Sequence, residues 1–521
     1  MDAYARVNSS FKSLSKTLFG REIGELSEFD AYFREMLLPH TIAKSSVSGK
    51  EVLLSNGLYP KGARFVSQDE AQDLKIGPLG IDQIKDIDSL LDAVSGRAAY
   101  CGNKVFGKNF NAEGVDNCVE SSNVIFCNNN YHVKDAAYCS QVREAEAIFG
   151  VTTFPFIRHS MRCVEGMNLT RGFETYYTTN SSDMYYAFNC SGCTNCMFAF
   201  NLRNKSNCIG NLELGKERYN ELKAKLVAEI AGELAKKKRI FSMGGLSRTG
   251  VAPGQGLEVR LEYGPVPPRV EKAFGSTCAT VLGKEHAGLG KFGKWLARHA
   301  LKIRKVRGAH GTPTYAVDLP IVREIPAERL ATAAEALENG KIAIELKGNE
   351  MPPLAEIAAR AVKNALFTLE FSEGHAENAV DVTAIFNANN VYAFWDATES
   401  SLSAFASAVI KSKMIFGGYL RMLQSSSCIN CYDSTDLNRC FEVDGSYGCS
   451  DSYFLHNCEN VSDSMFCFNA KNMRYAIGNV VVGREEFARV KKILLDYVNM
   501  SLEKDGALGM DIFSIGERKS S

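Results

Sequence analysis

The sequence has no net charge. Its 60 lysines and arginines are matched by 60 aspartates and glutamates across 521 residues. That balance excludes a global pull toward nucleic acid or anionic membrane, so any such affinity must be local. No run approaches the ~18–20 uninterrupted apolar residues of a membrane span. The opening stretch, MDAYARVNSSFKSLSK, lacks the apolar core of a secretion signal, and a cytoplasmic protein is expected. There is no G-x-S-x-G, no P-loop and no dinucleotide-binding glycine motif between a strand and a helix. The eight histidines are scattered, without metal-ligand spacing. No cofactor is expected.

Cysteine, by contrast, is plentiful at 16 residues. A disulfide framework belongs to small secreted chains, so reduced, buried thiols acting as small hydrophobes are the expectation here. Fifteen of the cysteines fall in two regions that repeat one another; Cys278 is the exception. Residues 163–223 align with 431–491 without a gap. Cys163, Leu169, Arg171, Phe173 and Glu174 match Cys431, Leu437, Arg439, Phe441 and Glu442. Further on, SDMYYAFNC matches SDSYFLHNC, and MFAFNLRNKSNCIGN matches MFCFNAKNMRYAIGN. Upstream, 123–150 pairs with 390–417.

A shorter repeat lies inside each copy. Asn189, Asn201 and Asn211 close successive apolar bursts, and Asn457, Asn469 and Asn479 do the same. Each unit reads as a short strand followed by a polar turn. Such units bury an apolar face only by stacking. Two of them sum to about 22 residues, one coil of a right-handed parallel β-helix. The recurring Asn either serves an αL turn or forms a stacked amide ladder. Cys431, Cys440, Cys449, Cys458 and Cys467 are evenly spaced, as small residues filling a narrow interior would be.

The expected fold is mainly β with α: two duplicated right-handed parallel β-helix (solenoid) modules, helical caps, a helical N-terminal region and an α+β insert. Residues 1–95 read as the helical region and 96–237 as the first module with its capping helix. Residues 238–325 form a basic insert that matches nothing in the repeats, 326–505 the second module, and 506–521 a tail. In the insert, KFGKWLARHALKIRKVRG reads as a basic amphipathic helix with Phe292, Trp295, Leu296, His299, Ile303 and Val306 on one face. Lys291, Lys294, Trp295, Arg298, Lys302, Arg304 and Lys305 are its candidate binding residues, for RNA or an anionic surface. The bland alternative is a packed apolar face with a solvated basic one.

Cys190, Cys193 and Cys196, with Cys208, have the spacing of a thiolate metal site. Against it, Cys193 and Cys196 become Val461 and Ser464 in the second copy. On an extended strand, Cys193 would also face away from its two neighbours. Acid–base candidates are Arg171 with Glu174, Arg439 with Glu442, Asp183 and Asp451.

The segment CTNCMFAFNLRNKSNCIGNLELGKERYNEL (193–222) resembles a group of cysteine-rich hypothetical proteins of uncultured archaea and bacteria. They share Cys-x-x-Cys runs, an Asn-Leu-Arg-Asn-Lys-like turn, Cys-Ile-x-Asn, and Lys-Glu-x-Tyr opening a helix. MFCFNAKNMRYAIGNVVVGREEF (465–487) is similar. The resemblance implies a β-helical fold and no particular activity. A zinc ribbon present in some members has no counterpart here. The functional expectation is non-catalytic binding or scaffolding toward an unknown macromolecule. The alternatives are a carbohydrate-active β-helix lyase or hydrolase, and RNA or polyanion binding through 284–307.

Overall fold

A computed structural model describes residues 2–251, 258–259, 263–319, 322–363, 365–406, 413–418, 426–429, 432 and 438–517. The fold is mixed α/β with long sheets in which parallel pairing predominates. Among the described residues, no helix is long and apolar enough to cross a membrane. The chain divides into two compact units, and neither is a continuous stretch. Unit 1 comprises Met1–His40, Val105–Leu261 and Arg304–Phe371; unit 2 comprises Thr41–Lys104, Glu262–Ile303 and Ser372–Ser521. These divisions cut across the consecutive boundaries read from the sequence. Residues 41–102 are helical only in part, since they include the strands Thr41–Lys44, Glu51–Leu54, Phe65–Ser67 and Tyr100–Gly102.

In unit 1 the strands of the large sheet from Phe110 to Phe200 each pair in parallel with the segment twelve residues on, after a first step one residue longer in which Val105 lies beside Cys118. Thr170 lies beside Ser182, Ser182 beside Thr194, and Thr194 beside Ser206. The repeat is therefore twelve residues, not the 22 inferred from pairs of Asn-closed bursts. A bend recurs every third residue. Asn117, Glu120, Asn123, Phe126, Asn129, His132, Asp135 and Tyr138 all have φ between 45° and 57°. Non-glycine residues rarely adopt this left-handed conformation, which costs roughly 1–2 kcal/mol each. Asn bears it best, which explains its recurrence.

Stacking across the repeat offsets the strain. Asn117 donates to Asn129 at 2.9 Å and Asn189 to Asn201 at 2.8 Å. At another bend, Tyr186 stacks on Phe198 with ring centres 5.0 Å apart. Both readings of the recurring Asn therefore hold at the same sites.

The bends also set what faces inward. Val133, Ala136, Cys139 and Val142 form one core with Cys190, Cys193, Cys196, Ala199 and Leu202, each three residues from the next within its run. Ordinary strand alternation would turn Cys193 outward. The αL residue at every third position rotates the chain, so positions i, i+3 and i+6 all enter one core. This corrects the reading that Cys193 opposes Cys190 and Cys196.

The sheet ends where Leu212–Glu213 turns back antiparallel to Ser206–Ile209. The helix Lys216–Lys237 follows, burying Tyr219, Leu222, Leu226 and Ile230 and packing against that last strand. The N-terminal helix Ala3–Phe19 packs along the same sheet; Phe19 meets Phe173 edge-on at 5.1 Å.

Unit 2 repeats the plan. Tyr453 pairs with Met465, and Leu455 with Cys467, again twelve residues apart. One step is a residue longer, with Ile415 beside Cys428. Cys440, Val443, Cys449, Leu455, Cys458, Val461 and Cys467 share its core. An antiparallel turn-back at Val480–Val481 precedes the helix Arg484–Asp505. Cys431, the first of the five evenly spaced cysteines, lies outside the described residues.

Candidate functional site

With every third residue inward and every third at a bend, the remaining third project outward in columns. In unit 1 two columns are aromatic and covered. Phe173 and Tyr185 lie under the N-terminal helix, where the Tyr185 hydroxyl donates to the Leu18 carbonyl at 2.7 Å. Phe188 and Phe200 lie under Phe367, at 4.8 and 5.5 Å between ring centres. The other two columns carry short hydroxyl side chains, in one of them between Met167 and Arg203. One is Thr170, Ser182, Thr194 and Ser206; the other is Met167, Thr179, Ser191 and Arg203. Thr194 and Ser206 are exposed.

Charges at the bends and on these open walls pair with the residue one repeat away. The Arg171 guanidinium makes two 2.7 Å bonds to Asp183, one repeat on. Lys134 reaches Glu146 at 3.1 Å. In unit 2, Arg439 meets Asp451 at 2.6 Å and Lys471 meets Glu459 at 2.7 Å. Arg171 thus serves Asp183 rather than Glu174, the partner suggested by Arg-x-x-Glu. An exposed pair of this kind contributes about 0.2–1 kcal/mol. Asp183→Asn is accordingly expected to shift stability by less than about 1 kcal/mol in chemical denaturation.

Glu174 and Glu442 have a different fate. Both are fully buried. Glu174 is bound by the Arg162 guanidinium, by the Tyr32 hydroxyl at 3.2 Å and by the Met243 amide at 3.0 Å. Arg162 also lies over the Tyr32 ring and reaches Glu35 at 3.1 Å. In unit 2, Glu442 accepts from Arg298, from the Tyr432 hydroxyl at 3.0 Å and from the Ile512 amide at 3.0 Å. Burial raises both carboxyls above their ordinary range, against the pull of the arginines. Helix and tail seal them, so neither can meet a substrate. The Arg162–Tyr32 part of this network escaped the sequence reading. Its one signal was the recurrence of Glu at 174 and 442 in an apolar setting.

Beside Arg298 sits Asp511, which His299 contacts at 2.8 Å. Burial works to raise this carboxyl, but His299 and Arg298 outweigh it and hold Asp511 at about 2 instead of 3.8. A depressed carboxylate stabilises the fold above its unfolded pKa and loses that effect as pH falls through the folded one. Wild type is therefore expected to exceed Asp511→Asn by about 2 kcal/mol at neutral pH. The gap should close in denaturation curves taken between pH 3.8 and about 2.

The basic segment is not one helix. The helix Leu289–Leu296 ends early, and Ile303–Arg307 is a strand that pairs with Glu258–Val259. Arg304 and Lys305 belong to unit 1, while Lys291, Lys294, Trp295, Arg298 and Lys302 belong to unit 2. Trp295 is buried against Phe441, and Arg298 turns in to Glu442 and to the Leu508 and Met510 carbonyls at 3.2 and 3.1 Å. Lys291 donates to the Glu503 carbonyl at 2.9 Å, and Lys305 lies over Tyr315. Trp295 and Arg298 are thus turned into unit 2, while Lys294 and Lys302 stay open to solvent.

Cys190, Cys193, Cys196 and Cys208 do share one interior. Among the described residues, however, no group of three or more Cys, His, Asp or Glu is placed to hold a metal. Each thiol instead lies within bonding distance of a backbone carbonyl two residues back, such as Cys190 to Phe188 at 3.5 Å and Cys193 to Ser191 at 3.5 Å. In unit 2 the spacing of nine follows from geometry. Cys440 meets the Cys449 carbonyl at 3.6 Å, Cys449 that of Cys458 at 3.6 Å, and Cys458 that of Cys467 at 3.3 Å. Burial pushes the Cys118 and Cys449 thiols up to about 12, which keeps them protonated.

Unit 1 also holds a cavity of about 1000 Å³ lined by Glu35, Glu233, Lys237, Arg239, Phe241 and Glu324. Two ion pairs lie in its lining: Arg239 with Glu35 at 3.0 Å, and Lys237 with Glu233 at 2.5 Å. Comparison with protein-family models, curated proteins and solved structures returned no match.

Proposed function

We propose that the protein is a non-catalytic scaffold built on two right-handed β-solenoids of twelve-residue coils, whose polar walls are offered to a macromolecular partner. The register of twelve, the bend at every third residue and the inward third position support the solenoid reading. A chain that closes on a thin, dry interior makes a stiff rod whose stability comes from stacking neighbours. Scaffolding suits such a rod.

One observation carries the functional reading. The charges described at the bends and on the open walls are spent in column pairs such as Arg171–Asp183 and Lys134–Glu146, and the two duplicated glutamates are sealed inside. A carbohydrate-active enzyme needs two carboxylates facing one open groove at a set separation. The walls offer instead a row of Thr and Ser at sheet spacing, about 4.8 Å apart, with Thr194 and Ser206 exposed.

The test compares full-length protein with Thr170→Lys/Thr194→Lys and with Lys294→Glu/Lys302→Glu in affinity capture from native lysate. The expected result is a partner retained by wild type and by the Lys294/Lys302 variant but lost from the wall variant. Release of reducing ends from a polysaccharide panel, abolished by Asp183→Asn, would establish the enzyme reading instead.

A further inference from the structure

The two units are built alike over more than the aligned repeats. In unit 1, Arg304–Phe371 lies with the sheet of residues 105–213; in unit 2, Thr41–Lys104 lies with the sheet of residues 372–481. These two segments come from opposite halves of the chain, yet they fold the same way. Each opens with a hairpin: Ser45 donates to the Lys50 carbonyl at 2.9 Å, and Gly308 to that of Thr312 at 2.9 Å. A second bond follows, from Ser46 to Phe65 at 2.8 Å and from Ala309 to Leu330 at 2.8 Å. Each closes with a parallel contact, Tyr100 to the Arg64 carbonyl at 2.8 Å and Phe367 to the Arg329 carbonyl at 2.8 Å. Each arginine then reaches across to a carbonyl, Arg64 to Ala98 at 3.3 Å and Arg329 to Ala365 at 3.3 Å.

They also dock the same way. Asn201 donates to the Leu366 carbonyl at 2.9 Å, and its counterpart Asn469 to the Ala99 carbonyl at 3.0 Å. Phe367 packs on Phe188 and Phe200; Tyr100 packs on their counterparts His456 and Phe468, at 5.3 and 5.7 Å. Even the closing bend matches: Gly210 (φ 56°) is pressed by Ile344, and Gly478 (φ 52°) by Arg97. The helices that stay with their own half correspond too. Ala3–Phe19 and Pro268–Leu282 both end on a left-handed glycine, Gly20 and Gly283, each with φ 72°.

We infer that the whole chain is one fold repeated twice in tandem, with the two copies reciprocally exchanging their hairpin–strand–helix–strand segments. The aromatic wall of each stack is an interaction surface whose occupant is the segment of the other repeat. Residues 41–104 complete the stack of residues 372–481, and residues 304–371 complete that of residues 105–213. Neither half is complete alone. The fusion holds in one chain what two separate copies would hold as an exchanged pair.

Two experiments on the full chain test this. The first inserts a sequence-specific protease site after Gly250, an exposed turn residue with open space around it, and cleaves the folded protein. The two fragments should co-elute at the size of the intact chain in native buffer and part only in denaturant. Separation on cleavage alone would overturn the exchange. The second replaces Phe367 or Tyr100 by the photo-crosslinker p-benzoylphenylalanine. Phe367→p-benzoylphenylalanine should label the peptide around Phe188 and Phe200, and Tyr100→p-benzoylphenylalanine the one around His456 and Phe468. The opposite pattern, or each probe labelling both peptides equally, would place the segments with their own repeats and overturn the inference.

Discussion

Arg162→Met is expected to destabilise unit 1 by about 3–5 kcal/mol, because it strips the counter-charge from a carboxylate with no access to water. Only 2% of the Arg162 side chain is exposed and none of Glu174. The Tyr32 hydroxyl and the Met243 amide would remain, and neither carries charge. Arg171→Met makes the control. It breaks a pair of better geometry, but 42% of that arginine is in solvent, so the loss should stay below about 1 kcal/mol. Chemical denaturation followed by circular dichroism reads both.

The sign of the pH effect follows from burial. Glu174 is raised above its ordinary 4.5 in the fold, and losing Arg162 raises it further. A group raised on folding favours the native state below its unfolded pKa and ceases to do so as pH rises through the folded value. The deficit of Arg162→Met should therefore grow from pH 4.5 upward, and Arg162→Met/Glu174→Gln should recover much of it. An Arg162→Met deficit no larger than that of Arg171→Met would mean that Glu174 is hydrated.

The second large effect is expected at neighbouring positions of one strand. Cys193→Lys should prevent unit 1 from folding, whereas Thr194→Lys should change its stability by less than about 0.5 kcal/mol. Cys193 lies in the thin core, walled by Cys190 and Cys196. An ammonium there has no partner, and charges buried without one are not tolerated. Thr194 points to solvent one residue later. Soluble expression and circular dichroism of the two variants decide the matter. Folded Cys193→Lys protein at wild-type stability would contradict the period of three.

The sequence showed the stacking and hid the period. Asn189 and Asn201 marked a true repeat of twelve, but the antiparallel turn-back at Asn211 broke the rhythm and made a two-unit coil of about 22 look natural. The bends escaped because Phe126, Tyr138, Tyr186 and Phe198 occupy αL positions that bulky residues normally avoid. Only stacking twelve residues apart makes them tolerable, and a single burst of sequence does not display it. Arg298 read as a surface cation because its partner, Glu442, lies far along the chain. The correspondence of residues 41–104 with residues 304–371 left little trace because main-chain bonds carry most of it, as with Ser46–Phe65 and Ala309–Leu330. Backbone donors place almost no constraint on side-chain identity.

The most direct test of the architecture is thiol alkylation of the native full-length protein, with modification mapped by mass spectrometry at Cys190, Cys193 and Cys196. A chain turning at every third residue predicts that all three stay protected together and react only as unit 1 opens. Rapid modification of Cys193 while Cys190 and Cys196 remain protected would show ordinary two-residue alternation and contradict the account.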